Sequence, residues 1–164
     1  MKRRGREKTK DVNQRKQATV IDASDLVLGR MASNVAKRIL NGEEIIVVNA
    51  ENAIISGSRE NAIEEVKKHL GLRTLSAQKK APKRPRRPDG FVRRVVRGML
   101  PWKKPKGKMA YKRLKVFIGV PEDLSGISVQ TIPEAKKAMR PSVTVGNLLE
   151  AFGWRNPMLE QSKP

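Results

Sequence analysis

Between Lys79 and Lys115 the chain carries sixteen Lys and Arg side chains and one acid, Asp89. Fixed cations at that density have one principal chemistry, the neutralisation of a polyanion. Each phosphate contacted releases condensed counterions and favours binding at low salt. Arg93, Arg94 and Arg97 fall on one side of an amphipathic helix whose other side holds Phe91, Val92, Val95, Val96, Met99 and Leu100. Pro101 ends that helix, and the loop WKKPKGKMAYKR then adds Lys103, Lys104, Lys106, Lys108, Lys112 and Arg113, with Lys115 just inside a following strand. Ahead of the helix, Lys83, Arg84, Arg86 and Arg87 lie in a connector, residues 76–90, whose three prolines disfavour helix and sheet pairing and keep it extended. Phosphate contact is the preferred reading of these cations over a merely solvated face. Trp102 and Tyr111 flank the loop and can stack on an unpaired base or a ribose. Core packing is the preferred reading of the two rings, with Trp102 kept as a candidate RNA contact.

Other chemistry is weakly encoded. LGRMAS and SGSRE each put a glycine at a strand-to-helix junction, where backbone amides can face an anion, yet neither matches GxGxxG or the P-loop pattern. Gly29 is read as a tight-turn residue and Arg30 beside it as a candidate phosphate contact. Asp22, Asp25, Glu43 and Glu44 stand near element ends, where capping and surface roles are usual, and Glu64 and Glu65 pair locally with Lys67 and Lys68. The single histidine, His69, sits near a helix C-terminus, where the dipole accounts for it. Without cysteine there is no disulfide framework, no thiolate nucleophile and no Cys-based zinc site. No catalytic residue, metal, cofactor or small-molecule substrate is expected.

The elements that must hold the cations follow from charge and periodicity. The net charge of +20 is unevenly spread: residues 1–18 carry eight basic and two acidic side chains, residues 19–78 seven and eight, and residues 116–164 five of each. A near-neutral body therefore bears two basic arms. Residues 1–17, including Arg3 and Arg4, are a basic tail too polar to bury surface alone. The core, 18–121, contains the basic arm 76–115 and opens with a β-branched strand at Ala18–Asp22. An amphipathic helix through Leu28, Met31, Ala32, Val35, Ala36 and Ile39 follows, with Gly42 just past its end. Glu44–Asn49 and Ala53–Ser56 read as buried strands, and Ser58 caps a helix whose stripe is Ala62, Ile63, Val66 and Leu70. Asp89 is the expected cap of the arginine-bearing helix, Leu114–Gly119 a further strand, and a short helix starts near Thr144. Residues 122–164 form a neutral C-terminal extension, expected to pack on the core. Strands alternating with amphipathic helices predict an α/β fold with a mainly parallel sheet. No run approaches the roughly 18 apolar residues of a membrane span, and an apolar secretory region is missing, so a soluble, cytoplasmic protein is expected.

The stretches VIDASDLVLGRMASNVAKRIL, IIVVNAENAIISG and VRRVVRGMLPWKKPKGKMAYKRLKVFIG together resemble the thirteenth universal large-subunit ribosomal protein family over most of residues 19–121. Gly29 and Arg30 fall in its LGR turn, Asn49 and Ala50 in its NAE element, Arg97 to Pro101 in its RGMLP helix end, and Lys112 to Val116 in its LKRLKV-type segment. The resemblance implies a three-layer α/β/α fold around a four-stranded parallel sheet, a place in the large subunit, contacts to its long ribosomal RNA and to neighbouring ribosomal proteins, and a part in early assembly. The short link from the first helix to EIIVVN, the basic tail and residues 122–164 resemble the archaeal branch. The expected function is a non-catalytic ribosomal RNA-binding protein that supports assembly and translation. An RNA-processing enzyme and a membrane-surface protein are the rivals. The first would show turnover abolished at one or two residues; the second needs long basic amphipathic helices, which Pro101 cuts short.

Overall fold

A computed structural model describes residues 18–72, 84–124, 126–136 and 141–156. The basic tail with Arg3 and Arg4, the first part of the connector with Lys83, and the last eight residues lie outside the described residues. In chain order the elements are β1 (Thr19–Asp22), α1 (Leu28–Leu40), β2 (Ile45–Val48), β3 (Ile54–Ser56) and α2 (Arg59–Gly71). They continue as α3 (Pro88–Gly98), α4 (Pro105–Lys112), β4 (Leu114–Val116), β5 (Val129–Gln130), β6 (Ser142–Thr144) and α5 (Val145–Glu150).

A four-stranded sheet in the order β4-β2-β1-β5 is parallel at every pairing, with Thr19 opposite Ile45 and Ile45 opposite Leu114. Parallel strands are covered on both faces, and β2 is accordingly apolar throughout and almost wholly buried. Its side chains alternate: Ile45 and Val47 join the large core beneath α1, α3 and α4, while Ile46 and Val48 join Ala18, Val20 and Leu124 on the other face. That second face is covered by Phe117, Ile127 and the short 3-10 turn Glu122–Leu124. The result is the expected three-layer α/β/α arrangement around a four-stranded parallel sheet, one of its layers thin. Residues beyond 121 supply the fourth strand, β5, and also β6.

Local signals explain most boundaries. Met31, Ala32, Val35, Ala36 and Ile39 line the buried face of α1, and Gly42 follows it in the left-handed region at φ +109°. Ser58 and Thr144 cap α2 and α5, their side-chain oxygens accepting from the backbone N–H of Asn61 and Asn147.

Four expectations change. Residues 105–112, read as a loop, form helix α4: Pro105 occupies its first turn, where a missing N–H is harmless. Asp89 lies inside the first turn of α3 rather than capping it, since Pro88 starts the helix and Arg87 takes the cap position. Strand β3 leaves the main sheet and pairs antiparallel with β6. Of the stripe expected on α2 only Ala62 is buried, and Ile63, Val66 and Leu70 are half-buried.

Candidate nucleic-acid interface

The cations are positioned by a pair of helices joined through a tight corner. Helix α3 buries Val92 and Val96 in the main core, which turns Arg93 and Arg97, one helical turn apart, toward the corner. There the chain reverses: the N–H of Trp102 donates to the carbonyl of Leu100 at 2.7 Å and that of Lys104 to the carbonyl of Pro101 at 3.0 Å. Helix α4 then runs close beneath this turn. A Cβ built on Gly107 would stand 2.3 Å from the Pro101 carbonyl oxygen and 2.6 Å from its carbon, so the corner closes only around a glycine.

The two aromatic residues meet at this corner. Trp102 and Tyr111 pack edge to face with centroids 5.3 Å apart and planes at 90°. The guanidinium of Arg97 lies 4.0 Å from the Trp102 ring centroid, and that of Arg93 lies 4.9 Å from that of Tyr111. Arg97, Trp102, Tyr111 and Arg93 thus form one ladder, a pair of touching rings with a cation on each, and each cation–ring contact contributes about 0.5–1 kcal/mol where partly exposed. Both rings are half-buried, and Tyr111 packs against the main core, so the core reading of the pair holds in part and the rings also orient the arginines.

Charge accumulates here with little local compensation. Partial burial lowers the pKa of Arg94 from the ordinary guanidinium value, the nearby charges of Arg84 and Arg97 lower it further, and Tyr111 opposes them. The Nε atoms of Arg84 and Arg93 are withdrawn from solvent with no acceptor among the described residues. Asp89, the one acid of the arm, lies 3.3 Å from Arg87 Nε. Such a group of cations, partly withdrawn from water and only partly balanced by Asp89, is prepared for an external anion.

The remaining candidates divide by position. Lys103, Lys104, Lys106, Lys108 and Lys112 are exposed on the corner and α4, and Arg86 and Arg87 are exposed before α3. Lys115 is half-buried in β4. Arg113 is engaged within the fold, its Nη1 donating to the carbonyl of Ile39 at 3.2 Å near the C-terminus of α1, where a cation also meets the negative end of the helix dipole. Arg30 is exposed in the first turn of α1, with no contact to the arginine ladder among the described residues.

Two sets of polar contacts were not anticipated from the sequence, although Asp22 and Asn49 were both named there. Glu51, buried, accepts from the backbone N–H of Gly119 with both carboxylate oxygens at 3.1 Å, tying the NAE element to the chain after β4. Asn49 adopts φ +54° and donates through Nδ2 to Asp22 Oδ1 at 3.0 Å, and the Ser24 N–H donates to the same oxygen at 2.9 Å. Burial would raise the Asp22 pKa, but the hydrogen bonds from the Ser24 backbone, the Asn49 amide and the Ser24 hydroxyl outweigh it and hold the carboxyl below its ordinary value. Asn49 in NAE was the signal available, because Asn tolerates the left-handed region.

Fold and surface together define a class: a basic α/β domain with a cationic corner among its described residues. The family model for ribosomal protein L13 matches residues 16–123. Proteins named large ribosomal subunit protein uL13 from Methanococcoides burtonii, Methanococcus maripaludis and Methanopyrus kandleri are 44%, 48% and 46% identical to this chain over 138, 139 and 144 residues. Those matches span 82%, 82% and 85% of this chain and 97%, 96% and 89% of the relatives. The chain belongs to the ribosomal protein L13 family.

Proposed function

We propose that the protein is a structural, non-catalytic constituent of the large ribosomal subunit in the cytoplasm, binding large-subunit ribosomal RNA through Lys and Arg contacts to phosphates and supporting early subunit assembly. Its relatives carry the name of a large-subunit protein. The observation that carries the RNA assignment is the ladder of Arg97, Trp102, Tyr111 and Arg93 beside the lysines of α4. Guanidinium groups held on rings surrender less rotamer freedom when a phosphate arrives, so more of the contact energy remains as affinity.

The corner and α4 present Lys103, Lys104, Lys106, Lys108 and Lys112 as the outer phosphate contacts, with Arg84, Arg86, Arg87, Arg93, Arg94 and Arg97 on α3 and its approach. Recognition is by backbone and shape, since Lys and Arg dominate this surface and Asn and Gln do not. Arg3, Arg4 and Lys83 extend the same chemistry by composition, and Arg30 offers a separate contact at the start of α1. Trp102 serves as a ring that orients Arg97 and as an edge against the RNA sugar.

A salt titration of full-length protein on its ribosomal RNA tests the reading. Roughly six to ten phosphate contacts lower the affinity by about 10³ to 10⁵ between 50 and 200 mM salt. A flat response rejects it.

A further inference from the structure

Among the described residues five large apolar side chains are exposed, and two of them, Met99 and Met109, belong to the cationic corner. Single exposed apolar residues are ordinary on a protein surface. The setting of Met109 is not. Helix α4 buries Gly107 and Ala110 and half-buries Tyr111, which leaves Pro105, Lys106, Lys108, Met109 and Lys112 facing outward. At 100° per residue Met109 points nearly opposite Gly107 and Tyr111, with Lys106 and Lys112 about 60° to either side and roughly 9 Å apart along the axis. The most outward place on a lysine-bearing helix is therefore held by a thioether that is 57% exposed. Helix propensity does not choose it, since Met and Lys are nearly equal in a helix. A surface that met phosphate alone would gain from a cation there.

We propose that Met109 is the platform for one unpaired nucleobase of the ribosomal RNA, whose flanking phosphates are held by Lys106 and Lys112. The inference rests on the reading that the corner meets RNA and goes beyond it, adding a base contact to recognition by backbone and shape. A thioether is unbranched and polarisable, adapts to the surface it touches and makes favourable contacts with aromatic rings, of which a nucleobase is one. Phosphates on the two lysines bracket a nucleotide over Met109. In a duplex the base of that nucleotide turns inward to its partner, and the helix would meet mostly phosphate and sugar; an unpaired base is free to lie on the thioether. The aromatic rings of the corner are less available for this contact. Trp102 already carries Arg97 at 4.0 Å and Tyr111 carries Arg93 at 4.9 Å, and the two half-buried rings pack edge to face against each other.

The test measures binding of the full-length protein to transcribed large-subunit ribosomal RNA by filter binding across a salt series. Met109→Ala should weaken binding about three- to tenfold with the salt slope unchanged, because an apolar contact is lost and no charge is. Met109→Leu should stay within about twofold of the native chain. Both variants should melt with the native protein, since the side chain is exposed and Ala and Leu are good helix formers. A diazirine-bearing aliphatic residue placed at Met109 should crosslink to RNA, at a nucleotide that reverse transcription locates and chemical probing finds unpaired. The proposal is overturned if Met109→Ala binds RNA like the native chain, or if the diazirine reacts with a base-paired stretch, with protein or with nothing. Lys108→Ala separates that failure from failure of the corner itself. If it still reduces the magnitude of the salt slope by roughly one unit, the RNA assignment stands without Met109; if it too is silent, the assignment of the corner falls as well.

Discussion

Substituting Gly107 by alanine sets two effects of opposite sign against each other. Alanine in the interior of a helix is ordinarily more favourable than glycine by about 0.8–1 kcal/mol. At Gly107 the added Cβ would meet the Pro101 carbonyl oxygen at 2.3 Å and its carbon at 2.6 Å, with the Trp102 nitrogen at 3.2 Å. These are backbone atoms of a hydrogen-bonded turn, so relief requires α4 to move away from the corner. Overpacking of this kind is unfavourable by about 1–3 kcal/mol and here exceeds the propensity gain. Net destabilisation of about 1–2 kcal/mol lowers the melting temperature by about 2–8 °C for a chain of this size. Gly29→Ala is the matched control. Gly29 is also helical, and nothing lies within 4 Å of a Cβ built on it, so that variant should be neutral or up to about 1 kcal/mol more stable. Both variants are measured by thermal and urea unfolding with circular dichroism. If Gly107→Ala matches or exceeds the native protein in stability while Gly29→Ala behaves as expected, the close approach of α4 to the corner is wrong.

Arg97→Lys keeps the charge but gives up the planar contact over Trp102 at 4.0 Å; RNA affinity should fall about two- to fivefold with the salt slope nearly unchanged, read by filter binding across a salt series. Lys108→Ala removes an exposed cation and should reduce the magnitude of the salt slope by roughly one unit, with little effect on unfolding. Arg113→Ala should do the reverse, lowering stability by about 1 kcal/mol through the lost bond to Ile39 while leaving the salt slope intact. Asp22, whose pKa is lowered by folding, contributes stability that is present above the unfolded carboxyl value and is lost as pH falls through the lower folded value. Asp22→Asn should therefore flatten the acid limb of a stability-versus-pH curve, and an unaltered limb would contradict the Ser24 and Asn49 hydrogen bonds.

Much of this molecule was legible from periodicity and caps. The run IIVV could only be a strand buried on both faces, and Gly42, Ser58 and Thr144 each marked a helix end for a steric or hydrogen-bonding reason. The charge partition located the arm, and the arginine face of α3 followed from the positions of Val92 and Val96. What stayed hidden depended on contacts between distant residues. Nothing local distinguishes PKGKMAYK as a helix from a lysine-rich loop, because Pro105 reads as a breaker unless it is known to start the element. The pairing of β3 with β6 joins residues nearly ninety positions apart, and neither strand is long enough to announce its partner. Arg113 looked like one more cation of the arm, and only the tertiary fold reveals the helix end it meets. Tyr111 was read as a core ring, which is half of its role.

In the proposed assignment the corner formed by α3 and α4 faces ribosomal RNA. The most direct measurement is a cryo-electron microscopy map of the large subunit carrying this chain, at a resolution that separates side chains from phosphates. Arg93, Arg97, Lys104 and Lys108 are expected at hydrogen-bonding distance from RNA backbone oxygens, with Arg97 still over the ring of Trp102 and Arg93 over that of Tyr111. A map in which that corner points into solvent, and the subunit's RNA meets the chain elsewhere, would contradict it.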